Sequence, residues 1–233
     1  MKSTFFTSSS FFHLLYPHIC IGCGSDVIDV ESFLCLECIN NLPHTNFAMH
    51  INNPVEKQFW GRMAVTAAMS EFYFSKESVI KNMIHELKYK GNKKAGQFFG
   101  NLIGKSLVNS NRFNDINVII PLPLFEKKEK MRGYNQAEIL CKGISEIINK
   151  PVVKNNVIRK VFTESQTKKH RLERWKNVEK TFLVTNPQQL EDKNVLLVDD
   201  VITTGATLEA CGAEILKVKN TKLSVATFAM ASK

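Results

Sequence analysis

Two groups of residues have types and spacings that could do chemistry: four cysteines near the amino terminus, and a run of acids and threonines near the carboxyl terminus. Cys20, Cys23, Cys35 and Cys38 form two C-x2-C pairs with eleven residues between them. Each pair turns two sulfurs toward one point, so four thiolates can converge on a single tetrahedral ion. Sulfur at all four positions leaves no coordination site for water, and the metal implied is therefore structural. Zinc is the favoured reading, with a pair of disulfides or a thiolate-bound iron or iron–sulfur centre as alternatives. A binding free energy on the order of 10–16 kcal/mol, as in small zinc peptides, would fold a segment too short to build its own core. His18 and His44 are near in sequence, but four cysteines leave them no vacancy. Cys141 and Cys211 fall on apolar helical faces and read as inert core.

The second group is VLLVDDVITTGATL, residues 195–208. Four apolar residues make a buried strand, and Asp199 and Asp200 stand at its carboxyl end, where open parallel sheets bind ligands. Thr203, Thr204, Gly205, Ala206 and Thr207 then lead into a helix. Small residues let the backbone close around an oxyanion, hydroxyls add donors, and the helix start offers free amides and a positive dipole end. A phosphate suits this loop. Two carboxylates beside it suit the paired hydroxyls of a ribose or a hydrated magnesium ion.

The elements that must position these groups follow from periodicity. Ser75 is a suitable N-cap for a helix with Val79, Ile80, Met83, Ile84 and Leu87 on one face and Gly91 as its stop. A second helix carries Phe98, Phe99, Leu102, Ile103 and Leu107. From residue 118 the texture becomes alternating: strands at 118–120, 152–158, 181–184, 195–198 and 223–228, with helices at 137–148 and about 207–218. Mostly apolar strands alternating with helices predict a parallel sheet covered by helices. The polar stretch 163–177 is long for a connection, and such loops are usually functional or disordered.

The chain has 233 residues, 44% hydrophobic and 23% charged, which excludes disordered, collagenous and coiled-coil classes. Its formal charge of +9 is uneven: residues 81–176 hold 21 basic and 8 acidic side chains. That excess points to a polyanionic partner, either phosphate-rich small molecules or nucleic acid. Tyr89, Tyr134 and Trp175 lie among these cations and are candidates for stacking on bases. No stretch is long and apolar enough for a membrane span, and no targeting signal stands at the start. The expected location is the cytoplasm, where cysteines serve as metal ligands or buried thiols more often than as disulfides.

The 199–207 segment closely resembles the 5-phosphoribosyl 1-diphosphate motif of type I phosphoribosyltransferases. The resemblance implies that Asp199 and Asp200 bind ribose hydroxyls, that Thr203, Thr204, Gly205, Ala206 and Thr207 bind the 5-phosphate, and that magnesium accompanies the diphosphate. Over nearly the whole chain, FFHLLYP before the cysteines, LKYKG at 87–91, RGYNQ at 132–136, Thr163-x-x-Gln166 and Arg174-x-x-Asn177 together resemble the ComF family. That family includes competence proteins of DNA uptake and GntX-like proteins. It implies an α/β fold: a type I phosphoribosyltransferase-like parallel sheet flanked by helices over 46–233, preceded by a zinc module over 1–45.

On that fold the loop after residues 121–123 would face the diphosphate, with Arg132 supplying charge. Residues 163–177 would form a closing loop bringing Lys168, Lys169, Arg171 and Arg174, with His170 and Glu164 as possible proton handlers. Arg132, Lys168 and Arg174 are the candidate catalytic residues. The function implied is binding of phosphoribosyl diphosphate or a related ribose-phosphate in DNA uptake, with single-stranded DNA and a competence helicase or recombination mediator as partners. The alternative is an active transferase moving a phosphoribosyl group to a base or amine with release of diphosphate.

Overall fold

The computed structural model describes residues 18–231 apart from 27, 30, 76, 77 and 160–180. The leading FFHLLYP and the expected closing loop, with Lys168 and Arg174, lie outside the described residues.

Helix α1 (Leu36–Asn40), which carries Cys38, belongs to the cysteine knuckle, and the short helix α2 (Pro54–Lys57) and strand β1 (Ala67–Phe74) follow it. Helices α3 (Val79–Tyr89) and α4 (Lys93–Val108) precede β2 (Val118–Pro121). Helices α5 (Glu126–Arg132) and α6 (Gln136–Ile148) lead to β3 (Val157–Arg159) and β4 (Phe182–Val184). Strand β5 (Asn194–Ile202), helix α7 (Ala206–Ile215) and strand β6 (Lys222–Ala231) complete the order. The main sheet is all parallel, in the order β1-β6-β5-β2. Helices α4 and α6 pack on each other, α4 against β1 and β6, and α6 against β2 and β5. Their crossing depends on glycine: a Cβ on Gly100 would sit 2.2 Å from the Leu140 carbonyl oxygen, and one on Gly143 2.1 Å from that of Gln97. Phe228 of β6 joins the layers, stacked on Phe99 of α4 at 5.1 Å and edge-on to Phe72 of β1 at 5.2 Å.

The parallel sheet flanked by helices stands as expected, with four differences of detail. Strand β1 was not anticipated, because its AAMSEFYF sequence hides Ser70 and Glu71 in an apolar run. Both are buried, and Glu71 is matched by His44 Nδ1 at 2.9 Å. The helix expected to start after Ser75 is N-capped by Ser78, whose hydroxyl turns back to donate to the Ser75 carbonyl at 2.8 Å. The run 152–158 is not one strand. Val152 makes only an isolated bridge to Ile119, Asn155 adopts a left-handed φ of 58°, and β3 then pairs antiparallel with β4 in a separate two-stranded sheet. Finally, β5 does not stop at Val198. It continues to Ile202, so Asp199 and Asp200 lie within the strand, and Asp199 pairs in register with Thr227.

Candidate functional site

Strand β5 is paired parallel on both sides up to Val198, and beyond it β6 alone continues the pairing through the segment that carries the two acids. The Asp200 amide donates to Asp199 Oδ1 at 2.8 Å. Burial pushes the Asp199 carboxyl well above the usual carboxylate range, the neighbouring Asp200 charge adds to this, and Lys88 and Arg159 offset part of it. Beyond Ile202 the chain turns through exposed Thr203 and Thr204 to Gly205, whose φ of 73° is left-handed. A Cβ on Gly205 would meet Phe59 Cε1 at 3.1 Å and Gln58 Oε1 at 3.3 Å. Glycine is therefore required twice, by conformation and by space. Helix α7 opens at Ala206 with its first amides beside this loop. Arg62 braces the loop from behind, donating to the Thr204 carbonyl at 3.2 Å and pairing with Glu209.

Two cations stand by the acids, and a third, Arg132, is held on the neighbouring helix α5. Lys88, in the last turn of α3, places Nζ 3.1 Å from Asp200 Oδ2, with the two side chains only 22% and 13% exposed. Arg159 ends β3 with its guanidinium 3.5 Å from the Phe125 ring centre and 5.1 Å from that of Phe182. Burial lowers its pKa, and the Asp199 charge works against that lowering. Arg132, at the end of α5, lies 5.5 Å over the Tyr89 ring and donates to Gln136 Oε1 at 2.9 Å. Arg132 Nε, Gln136 Nε2 and Arg159 Nε are all buried donors without an acceptor. Each has lost its water with no hydrogen bond in return, at a cost of about 1–3 kcal/mol. The turn holding Arg132 is fixed by Gly133 at φ 79° and by Asn135, which donates to the Leu122 carbonyl at 3.0 Å and caps α6 through the Ala137 amide.

The structure thus brings Asp199, Asp200, Thr203, Thr204, Gly205, Ala206 and Thr207 together at one end of β5, and it adds Lys88 and Arg159. Sequence reasoning passed over Arg159, whose one signal was a cation closing an apolar run just before the long polar stretch. Tyr134, expected among the stacking residues, is buried, and its hydroxyl donates to the Leu87 carbonyl. Tyr89 is 63% exposed. Cys141 and Cys211 are fully buried, and burial pushes both thiols up, as inert core cysteines should behave.

At the other end of the chain, the Sγ atoms of Cys20, Cys23, Cys35 and Cys38 all lie within 4.8 Å of one another. Cys23 and Cys35 are 3.7 Å apart, close to the roughly 3.8 Å edge of a tetrahedron with metal–sulfur bonds of about 2.3 Å. Backbone amides point at the sulfurs: Cys35 N donates to Cys20 Sγ at 3.2 Å and Cys38 N to Cys35 Sγ at 3.5 Å. For Cys20, burial resists ionisation, but the amides of Cys23, Cys35 and Gly22 outweigh it and draw the thiol down to about 6. The donor set fits one tetrahedral thiolate-bound ion and leaves no position for a reacting ligand.

The phosphoribosyl transferase domain family matches residues 135–233. Competence protein F of Haemophilus influenzae is 27% identical over 202 residues, covering 84% of this chain and 83% of that protein. The chain is a homologue of the ComF-type competence proteins. Competence protein ComFC of Bacillus subtilis is 33% identical over 113 residues, 48% of this chain and 43% of that one. DNA utilization protein YhgH of Escherichia coli is 24% identical over 203 residues, 85% and 84% of the two chains. Among solved structures, glutamine phosphoribosylpyrophosphate amidotransferase of B. subtilis superposes with a TM-score of 0.44 at 15% identity, over 61% of this chain and 30% of that one. In this ComF-type homologue the matched domain takes in the acids, the threonine-glycine loop and Arg159. Lys88, Arg132 and the cysteines are contributed from outside it.

Proposed function

We propose that this competence-related, phosphoribosyltransferase-like chain binds 5-phosphoribosyl 1-diphosphate, or a close ribose-phosphate relative, with magnesium, and handles single-stranded DNA in the cytoplasm during uptake. In this reading Asp199 and Asp200 accept the ribose hydroxyls, and the amides and hydroxyls of residues 203–207 receive the 5-phosphate. Lys88, Arg132 and Arg159 face the diphosphate, whose remaining charge the magnesium ion carries. The observation that carries the reading is the pair of acids at the end of β5, with Lys88 and Arg159 beside them, next to a glycine turn that opens a helix. Two neighbouring carboxylates would repel a bare phosphate, and the cations alone would not select a sugar. Only a ligand with vicinal hydroxyls between two phosphate groups uses all of these parts at once. The cysteines would hold zinc as a structural ion.

Calorimetric titration with phosphoribosyl diphosphate and magnesium is expected to show a single site, and Asp200→Asn to abolish it. No heat with the wild-type protein defeats the ligand assignment. For DNA, anisotropy with a single-stranded oligonucleotide should give an affinity falling by roughly 0.7 log unit per phosphate neutralised, per log unit of salt. Absence of binding at low salt removes the DNA part.

A further inference from the structure

The cysteine knuckle carries no charge suited to either proposed ligand. Between residues 18 and 56 the sequence has no lysine or arginine, while Asp26, Asp29, Glu31 and Glu37 are acidic. Four thiolates around one divalent ion add two further negative charges. Its place in the fold is nevertheless specific. Asn82, in the first turn of α3, donates to the Gly22 carbonyl at 2.7 Å. Gly22 itself is wedged between a sulfur and the helix: a Cβ there would lie 2.7 Å from Cys38 Sγ and 2.8 Å from Val79 Cγ1. On the other side, Phe33 packs its ring 5.4 Å from that of Phe98 on α4. The knuckle therefore brackets α3 against α4. Beside these contacts lies a cavity of about 500 Å³, lined among others by Cys20, Phe33, Asn82 and His85.

We infer that the knuckle is a positioning element for Lys88, acting through α3 by way of Asn82. A helix rises about 1.5 Å per residue and is stiff over so short a length, so a shift at Asn82 is delivered to Lys88 some 9 Å along the axis. The apolar residues Ile80, Met83, Ile84 and Leu87 hold α3 in the core. Such contacts resist separation better than sliding or rolling, because apolar contact has no direction. The directional Asn82 bond and the Gly22 contact fix the first turn of α3, as the Tyr134 hydroxyl on the Leu87 carbonyl fixes its last, and the two ends together set the distance from Lys88 to the acids. The idea rests on the ribose-phosphate reading for its consequence, though not for its geometry.

The test is a double-mutant cycle on the full-length, zinc-loaded protein, with Asn82→Ala and Lys88→Met, read by phosphoribosyl diphosphate titration, zinc content and amide hydrogen exchange. Asn82→Ala should keep its zinc, speed exchange across residues 83–90 and weaken the ligand about fivefold. In the Lys88→Met background it should weaken the ligand no further, because the two act through one path. Equal losses in both backgrounds, or no loss in either, overturn the inference. Unchanged exchange across 83–90 does so as well, even if the wild-type protein takes up no ligand. A wild-type titration without heat, with exchange altered as expected, strikes the ligand reading and leaves the mechanical coupling standing.

Discussion

At the tip of β5 a buried parallel sheet holds the functional groups, with Val195, Leu196, Leu197 and Val198 all at 0% exposure just before the acids. At the knuckle the order is reversed. Few of its residues are deeply buried, Leu36 is 78% exposed, and four convergent sulfurs stand where a core would be. On the proposed reading, packing positions the first site before any ligand arrives, whereas the second would rely on its ion to be a structure at all. The charges differ in the same sense, with cations gathered at the strand tip and acids on the knuckle. On that reading one polypeptide separates the part proposed to meet an anion from the part proposed to brace it.

The largest effect that can break this comparison is loss of the metal. Stripping the protein with a chelator, or making Cys38→Ser, should release about one equivalent of zinc and abolish exchange protection across residues 18–45. The ion's contribution there is on the order of 10 kcal/mol. The sheet, which does not depend on it, should keep its far-UV signature and its cooperative melt. A global collapse of both regions would mean that the two are one folding unit.

Next in size is Gly205→Ala. A left-handed alanine costs about 1–2 kcal/mol, and its methyl must displace the Phe59 ring. The melting temperature should fall by several degrees and the ribose-phosphate affinity by about tenfold, with zinc content unchanged. Normal affinity in this variant would detach the loop from the ligand.

Asp199→Asn should act in the opposite direction on stability. A carboxyl whose native pKa stands above its unfolded value of about 3.9 binds more protons folded than unfolded. It therefore favours the fold at low pH, and that contribution is lost as pH rises through the native pKa. At neutral pH the amide avoids this loss, so the ligand-free variant should melt about 2–4 °C higher than the wild type. The gap should close as pH falls toward about 4. Ligand binding should disappear, the mark of a residue kept for function against stability.

How much of this was legible in the sequence follows the same division. The knuckle could be read almost completely, because C-x2-C spacing is local and the geometry of four sulfurs leaves little else for those residues to do. The acids and the threonine-glycine loop were legible for the same reason, being consecutive. What escaped was everything assembled across the chain. Lys88 reads as a helix-end cation until α3 sets it against Asp200, and Arg159 reads as the fringe of a strand until Phe125 and Phe182 sandwich it. Strand β1 escaped because a buried Glu71 needs His44, which lies well before it in sequence, to make sense. Tyr134 looked like a stacking residue because nothing local shows that its hydroxyl is taken by Leu87.

The smallest expected effect sharpens the charge contrast. Lys127 and Lys128 are exposed on α5. If single-stranded DNA runs over this basic side, neutralising either with glutamine should lower the slope of log affinity against log salt by roughly 0.7, while phosphoribosyl diphosphate binding stays the same. Glu37→Gln on the knuckle should leave that slope where it is, since an acidic surface away from the strand releases no counterions from it. Anisotropy titrations at four or more salt concentrations would separate these outcomes. A slope that changes with Glu37 and not with the lysines would put the nucleic acid on the knuckle, and the division between a binding end and a bracing end would fail.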